Sequence, residues 1–383
     1  MINLSFNALK GIAFRMAVPC ALALSLSMAS CESIYDDTSD CRTGIALQFV
    51  YDYHMEPGAN AFPANVDCVD VYVFDTDGNY TGMKYSETSD VLRNESYRME
   101  IPLDPGSYHL VVYGGLACEN PTFNIVEPDN IDGSRAGHKD NIVVSLPLDE
   151  DNTSHTMLHD IEKRMGGLFY GTLNVTLTED DLSTRYREEK VEMMKNTNNI
   201  QVILQEINSP YTADYNEFGF RIEDDNFTLD GYNNKIASGS RANTDESPYY
   251  QPYAYANRTT GYIDPGTREG TQVEQDSAIA VQVACAEFST SRLLMDNYST
   301  AQLVITSKVH KDGNGNDKEI IRIPLVEYLS LVRGFGYSWI KSDQEFLDRQ
   351  SNWTLMFFLN ENRWVSATIA VNNWVVRLNN ITL

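Results

Sequence analysis

Basic side chains are in short supply: 29 Lys and Arg stand against 54 Asp and Glu in 383 residues, a formal charge of -25. Long-range repulsion of that sign opposes an encounter with a polyphosphate backbone, which excludes nucleic acid as a partner. Histidine is scarcer still, six in the chain, and neither His-Glu-x-x-His nor Cys-x-x-Cys occurs. His155 and His159 have a helical spacing, but a zinc site needs a third protein ligand and none accompanies them, so no metal is expected. Asp75 to Asn79 and Asp312 to Asp317 lack the Gly and Glu positions of a calcium loop and read as hairpin turns. With no Gly-rich phosphate loop and no Gly-x-Ser-x-Gly elbow, neither an enzyme nor a cofactor is indicated.

Long apolar runs are also missing, since a spanning helix needs about 20 such residues. The nearest stretch, Met16 to Leu26, follows Lys10 and Arg15 and ends in Ser27-Met28-Ala29-Ser30 before Cys31. Small residues immediately ahead of a cysteine are what a lipoprotein signal peptidase accepts, so residues 1–30 read as a signal peptide and Cys31 as the lipidation site. Two or more acyl chains anchor a protein stably, and residues 31–42 become the tether. Its acidic start, Glu32 to Asp37, resembles the signal that sends some Bacteroidetes lipoproteins to the outer face of the outer membrane.

With Cys20 removed and Cys31 acylated, Cys41, Cys68, Cys118 and Cys285 enter an oxidising space, where three pairings are open. Cys41 and Cys118 lie outside apolar runs and form the favoured disulfide, while Cys68 and Cys285 read as small core residues.

What is abundant is strand material: 22 Tyr and 15 Phe, with 23 Gly and 13 Pro as punctuation. Ile45, Leu47, Phe49, Tyr51 and Tyr53 alternate as one face of a half-buried strand. Similar runs follow at Cys68–Phe74, Tyr97–Leu103, Tyr108–Tyr113, Ile142–Leu148, Thr172–Thr178, Ile200–Ile207, Ala278–Ala286, Ala301–Val309, Glu319–Pro324, Trp353–Leu359 and Val365–Leu378. Helix signals are few. Asp180 to Met194 suits one amphipathic helix, and Ser342-Asp343-Gln344-Glu345 ahead of Phe346 and Leu347 is a capping box. Such a pattern predicts an all-β protein of two tandem antiparallel sandwiches with a few short helices. The polar stretch Asp149 to Arg164 divides it into an N-terminal sandwich over 43–160 and a C-terminal one over 161–383. Asn208 to Gln275 reads as surface loops with a hairpin, and its Tyr-rich part, 248–262, supports a second reading as a surface glycan-binding lipoprotein.

Three stretches together resemble the FimB-type fimbrial anchor lipoproteins, the fimbrillin-associated anchor subunits of Bacteroidales type V pili. They are Cys31 through Tyr53 with Val71 to Gly78; Leu103 to Gly106 with Tyr108 and Val111 to Gly115; and Ile323 to Leu329 with Ser342 to Gln350, Phe357 to Leu359 and Asn372-Asn373-Trp374. That resemblance implies transthyretin-like sandwiches, a lipid-anchored and surface-exposed place on the outer membrane, a fimbrial shaft subunit as partner, and in some members a limit on fibre length. The residues of the third stretch predict structure rather than catalysis: Ser342 caps a helix, Glu345 returns the bond, Phe346 and Leu347 pack, Asp348 and Arg349 pair with backbone or each other, and Trp374 belongs to the last strand. Only Asn379 to Leu383 follow that strand, too little to donate, so the shaft is expected to dock on an edge, or complement a strand, of the N-terminal sandwich.

Overall fold

The computed structural model describes residues 43–55, 58–115, 118, 123–128, 137–145, 148–149, 157–158, 164–183, 186–224, 249–263, 279–295, 301–361, 363–371 and 374–379. The expected signal peptide, Cys31, Cys41, His155 and His159 lie outside them.

Strand β1 (Gly44–Val50) keeps the predicted alternation, with Ile45, Leu47 and Phe49 buried in the first core. β2 (Val69–Phe74) is buried on both faces. Val69, Val71 and Val73 enter that core, while Tyr72 and Phe74 face the opposite way. It turns through Asp75–Asn79 into β3 (Tyr80–Glu87), with Gly78 supplying the turn's positive φ of 85°. Next come β4 (Met99–Pro102) and β5 (Gly106–Gly114). The short hairpin of β6 (Asn124–Val126) and β7 (Val143–Ser145) sets Ile125 and Val144 in the same cluster as Tyr72 and Phe74. β8 (Leu148–Asp149) and β9 (Met157–Leu158) follow, then β10 (Phe169–Leu177), β11 (Arg187–Glu192) and β12 (Met194–Lys195).

Three-stranded β11-β1-β4 and five-stranded β12-β10-β5-β2-β3 together enclose the first core. Strands β10 to β12 therefore complete the N-terminal sandwich, which extends to Lys195, and the expected boundary at residue 160 is wrong. Before that completion β8 and β9 have already joined a sheet of the second sandwich. The polar segment read as a linker contributes Asp149 of β8 and the whole of β9 to that sheet. The helix expected over Asp180 to Met194 is also absent. Only a 3₁₀ turn, Glu179–Ser183, precedes β11, where Val191 points inward and the charges alternate outward. β11 pairs in parallel with β1, Phe49 opposite Val191, and this backbone pairing overrides a weak helical preference.

The second sandwich is built from β13 (Thr197–Glu206), β14 (Phe218–Glu223), β15 (Tyr249–Tyr250), β16 (Ala254–Gly261), β17 (Ala280–Ser291), β18 (Gln302–Lys311), β19 (Asp317–Pro324), β20 (Asn352–Asn360), β21 (Arg363–Val371) and β22 (Trp374–Asn379). One sheet runs β16-β17-β13-β20-β21-β22 and the other β19-β18-β14-β15-β9-β8. The ladders are mostly antiparallel, but β1–β11, β13–β20 and β15–β9 are parallel, which the hairpin-based reading did not foresee. The run Val365 to Leu378 is two strands rather than one, since Val371 pairs with Trp374. The segment read mainly as loops contributes β14, β15 and β16.

Helix α1 (Phe62–Asn65) belongs to the first half. α2 (Leu325–Ser330), α3 (Arg333–Gly336) and α4 (Asp343–Arg349) sit between β19 and β20. In α2, Leu325, Val326, Tyr328 and Leu329 are all buried, an apolar density that looks like strand in a sequence. Tyr72, Phe74, Val111, Tyr113 and Tyr170 of the first sandwich fall in the same contiguous cluster as Val202, Phe288, Phe346 and Phe357 of the second. The two sandwiches share apolar packing and are not beads on a string.

Candidate functional site: the junction helix and the free sheet edges

Helix α4 carries the expected signature. The Ser342 hydroxyl accepts from the Glu345 N–H at 3.1 Å, as an N-cap should. The returned bond differs: Glu345 Oε2 accepts from the Lys341 N–H at 3.1 Å, one residue ahead of the cap, because its Oε1 is held by Arg349 Nε at 2.9 Å. That arginine bond, first among several contacts, holds the Glu345 carboxyl below the ordinary carboxylate range. Phe346 and Leu347 are buried, the Phe346 ring lying 5.3 Å from Tyr337 and 5.6 Å from Trp353.

Asp348 and Arg349 do not pair with each other. Successive helical residues point about 100° apart, so Asp348 turns inward and Arg349 outward. Asp348 binds Arg292 in a two-pronged pair, Nε to Oδ1 at 2.7 Å and Nη2 to Oδ2 at 2.8 Å, and also accepts from Gln344 at 2.8 Å. Gln344 then reaches the Leu293 carbonyl and the Met295 N–H, tying α4 to the end of β17. Arg349 lies 4.2 Å above the Tyr53 ring and 5.9 Å from that of Trp339, and donates to the His54 carbonyl at 3.4 Å. Beside it Ser351 receives Lys195 Nζ at 3.3 Å and bonds Tyr51, whose phenol burial pushes up to about 12. The signature helix thus clasps the chain leaving β1 to the second sandwich. Sequence periodicity could not reveal Arg292 or Lys195 as members, because both are distant in the chain. Trp374 opens β22 and pairs with Val371.

The disulfide joins Cys118 to Cys68, Cα atoms 5.4 Å apart, and not to Cys41. β2 and β5 are antiparallel neighbours with Val69 opposite Gly114, so the residue before one strand meets the segment after the other. The Gly115 N–H donates to the Cys68 carbonyl at 3.0 Å, fixing that approach. Cys285 is a buried free thiol, raised in pKa by desolvation. Among the described residues no three His, Cys, Asp or Glu converge as a metal site, and no helix is long and apolar enough to cross a membrane. Both calcium-like segments are turns that bond themselves: Asp75 accepts from the N–H groups of Asp77 and Asn79, and Asp312 from those of Asn314 and Asn316.

Sheet edges are where another chain could add a strand. In the first sandwich β11 is lined by Arg187, Glu188, Glu189, Lys190 and Glu192, and β3 carries Lys84, paired with Asp70 and Glu127. In the second, β19 carries Asp317, Lys318, Glu319 and Arg322 and ends at Pro324. Charges and proline guard an edge against pairing. The two edges of the other sheet are less guarded: β22 carries one charge, Arg377, over six residues, and β16 is longer, eight residues, Ala254–Gly261, with Arg258 as its single charge and mostly exposed. The tyrosines around it are dispersed and form no common platform. Tyr250 is buried and bonds Ser291, Tyr262 packs on Tyr211, and Tyr255 stacks on Tyr215.

The family model of the fimbrillin-A associated anchor proteins Mfa1 and Mfa2 matches residues 38–380. Among solved structures, a candidate adhesin from Bacteroides thetaiotaomicron VPI-5482 is 35% identical with a TM-score of 0.68, covering 88% of this chain and 98% of its own. A candidate polysaccharide-binding protein from the same organism is 27% identical with a TM-score of 0.64, over 89% and 99%. The fimbrial anchor protein Mfa2 of Porphyromonas gingivalis, at 19% identity and a TM-score of 0.54 over 88% and 99%, shares the fold. No curated protein matches the sequence. Signature, sandwiches and family match agree, and the chain belongs to the fimbrillin-A associated anchor protein family.

Proposed function

We propose that this protein holds the base of a fimbria on the outer membrane, tethered by acyl chains on Cys31 and joined to a shaft subunit along a free sheet edge. The observation that carries this is the family match over 38–380. The clasp at α4 supports it mechanically, because a pull arriving through the second sandwich passes by Arg349 and Ser351 to the strand nearest the tether. The edge assigned to the junction is β16, the longer edge of its sheet and guarded by a single charge, rather than an edge of the N-terminal sandwich. A strand added there gains main-chain bonds along the ladder and side-chain pockets on alternate positions. β22 is already paired along β21 over all six of its residues. It is not free to be donated, so a fibre growing by strand donation stops at this subunit, which limits its length. Affinity purification of the native lipoprotein from surface extracts, with mass spectrometry of what accompanies it, tests the reading. A fimbrial shaft subunit should co-purify in near-equal amount, and recovery without one from fimbriated cells would refute it.

A further inference from the structure

The outer face of the sheet β16-β17-β13-β20-β21-β22 changes character along its length. At one end Val281, Val283 and Cys285 are buried with Ile203, Tyr211 and Tyr262. At the other, a cleft of about 340 Å³ opens over polar side chains. Strand register makes this a lattice. Gln201 stands opposite Glu287 on one side and Thr354 on the other, and two residues along β13, Asn199 stands opposite Asn352. Strands about 4.8 Å apart put these groups on the scale of one sugar ring.

The lattice is pre-ordered, and its one carboxylate is neutralised by an arginine. Glu287 accepts from Arg258 at 2.7 Å, from the Tyr253 hydroxyl at 3.0 Å and from Gln201 Nε2 at 3.4 Å. Arg164 Nε donates to Asn199 Oδ1 at 3.1 Å, and Asn199 Nδ2 to Asn352 Oδ1 at 3.1 Å. Gln201 Oε1, Asn352 Nδ2 and the Thr354 hydroxyl make no hydrogen bond among the described residues, which leaves uncharged acceptors and donors on the cleft lining beside the Arg164 guanidinium. Tyr253 forms the aromatic wall, held at both ends: its N–H donates to the Glu287 carbonyl at 2.8 Å and its hydroxyl to the Glu287 carboxylate. A fixed aromatic ring beside spare amides and a hydroxyl suits a ligand with apolar C–H faces and many hydroxyls. The cleft's volume falls in the small-ligand range of about 300–1,000 Å³, and the chain's charge of -25 disfavours an acidic ligand.

We propose that this cleft binds a neutral saccharide, one short unit of a longer glycan, independently of the β16 edge. Affinity electrophoresis of the full lipoprotein in detergent, through gels containing mannan, dextran, galactan or polygalacturonate, is the test. At least one neutral polymer should retard the protein. Thr354→Val, Gln201→Ala and Tyr253→Phe or Ala should each weaken that retardation roughly three- to tenfold with unchanged melting, and Thr354→Val, nearly isosteric, guards against a folding artefact. Fibre retention on cells carrying these variants should be normal, which separates this site from the junction. No retardation by any neutral polymer, stronger retardation by polygalacturonate, or retardation indifferent to all the variants would overturn the assignment.

Discussion

Replacing Asp348 by Asn tests whether the signature helix is a structural clasp. The substitution preserves shape, so no cavity is created, but it removes the charge that neutralises Arg292, which is 15% exposed against 6% for Asp348. Breaking one partner of a buried pair typically costs about 3–5 kcal/mol, since the other charge stays desolvated. The asparagine oxygen can still accept one of the two arginine bonds, so the expected loss is near the lower end, about 3 kcal/mol. Removing both charges together, as Arg292→Met with Asp348→Leu, should recover most of it. All four tryptophans, Trp339, Trp353, Trp364 and Trp374, lie in the second half of the chain, so denaturant titration followed by tryptophan fluorescence reports that sandwich selectively. A loss in Asp348→Asn below about 1 kcal/mol at unchanged slope, or a double variant as unstable as the single one, refutes the reasoning.

Four further outcomes are expected. Lys195 has its pKa pushed down to about 8, by burial first and by Arg164 second, against 10.5 ordinarily. The unfolded chain then binds more protons between those values and stability rises with pH there; from pH 7.5 to 9.5 the wild type should gain about 1–2 kcal/mol over Lys195→Met, and parallel curves in urea titrations would show that Lys195 does not titrate in this window. Opening the Cys68–Cys118 bridge, which closes a separation of 50 residues, by Cys→Ala at both positions should cost up to about 4 kcal/mol in equilibrium unfolding. Cys31→Ala should abolish fatty-acid labelling and membrane retention, and a variant still labelled and retained in fractionation would contradict lipidation there. Thr259 and Thr260 are neighbours on β16, and alternate N–H groups of an edge strand point outward. One of Thr259→Pro and Thr260→Pro should therefore release fibres into the medium with normal melting while the other destabilises the sheet; if both fold and retain fibres, β16 is not the junction.

Local patterns in the chain were enough for many of the strands and for the N-cap of α4, though not for β11 or for β14 to β16. Alternation at Ile45, Leu47 and Phe49, the turn at Gly78, and Ser342 followed by Glu345 are short-range consequences of pleat, positive φ and hydrogen-bond reach, and each stands where the sequence placed it. What the sequence did not contain was the partner of each group. Cys68 looked like core because it adjoins an apolar run, yet the antiparallel register of β2 and β5 brings it to Cys118. Asp348 had an arginine beside it in the chain, but the helical turn sends the two apart and the fold delivers Arg292 from 56 residues away. The boundary failed for the same reason, since nothing local in β10 or in β11, which reads as helix, says which sandwich it belongs to, and only pairing with β5 and β1 assigns them. Spacing along a chain encodes what an element is, whereas which elements meet depends on long-range pairing and shared burial. The charge pair, the disulfide and the polar cleft therefore exist only in the tertiary structure.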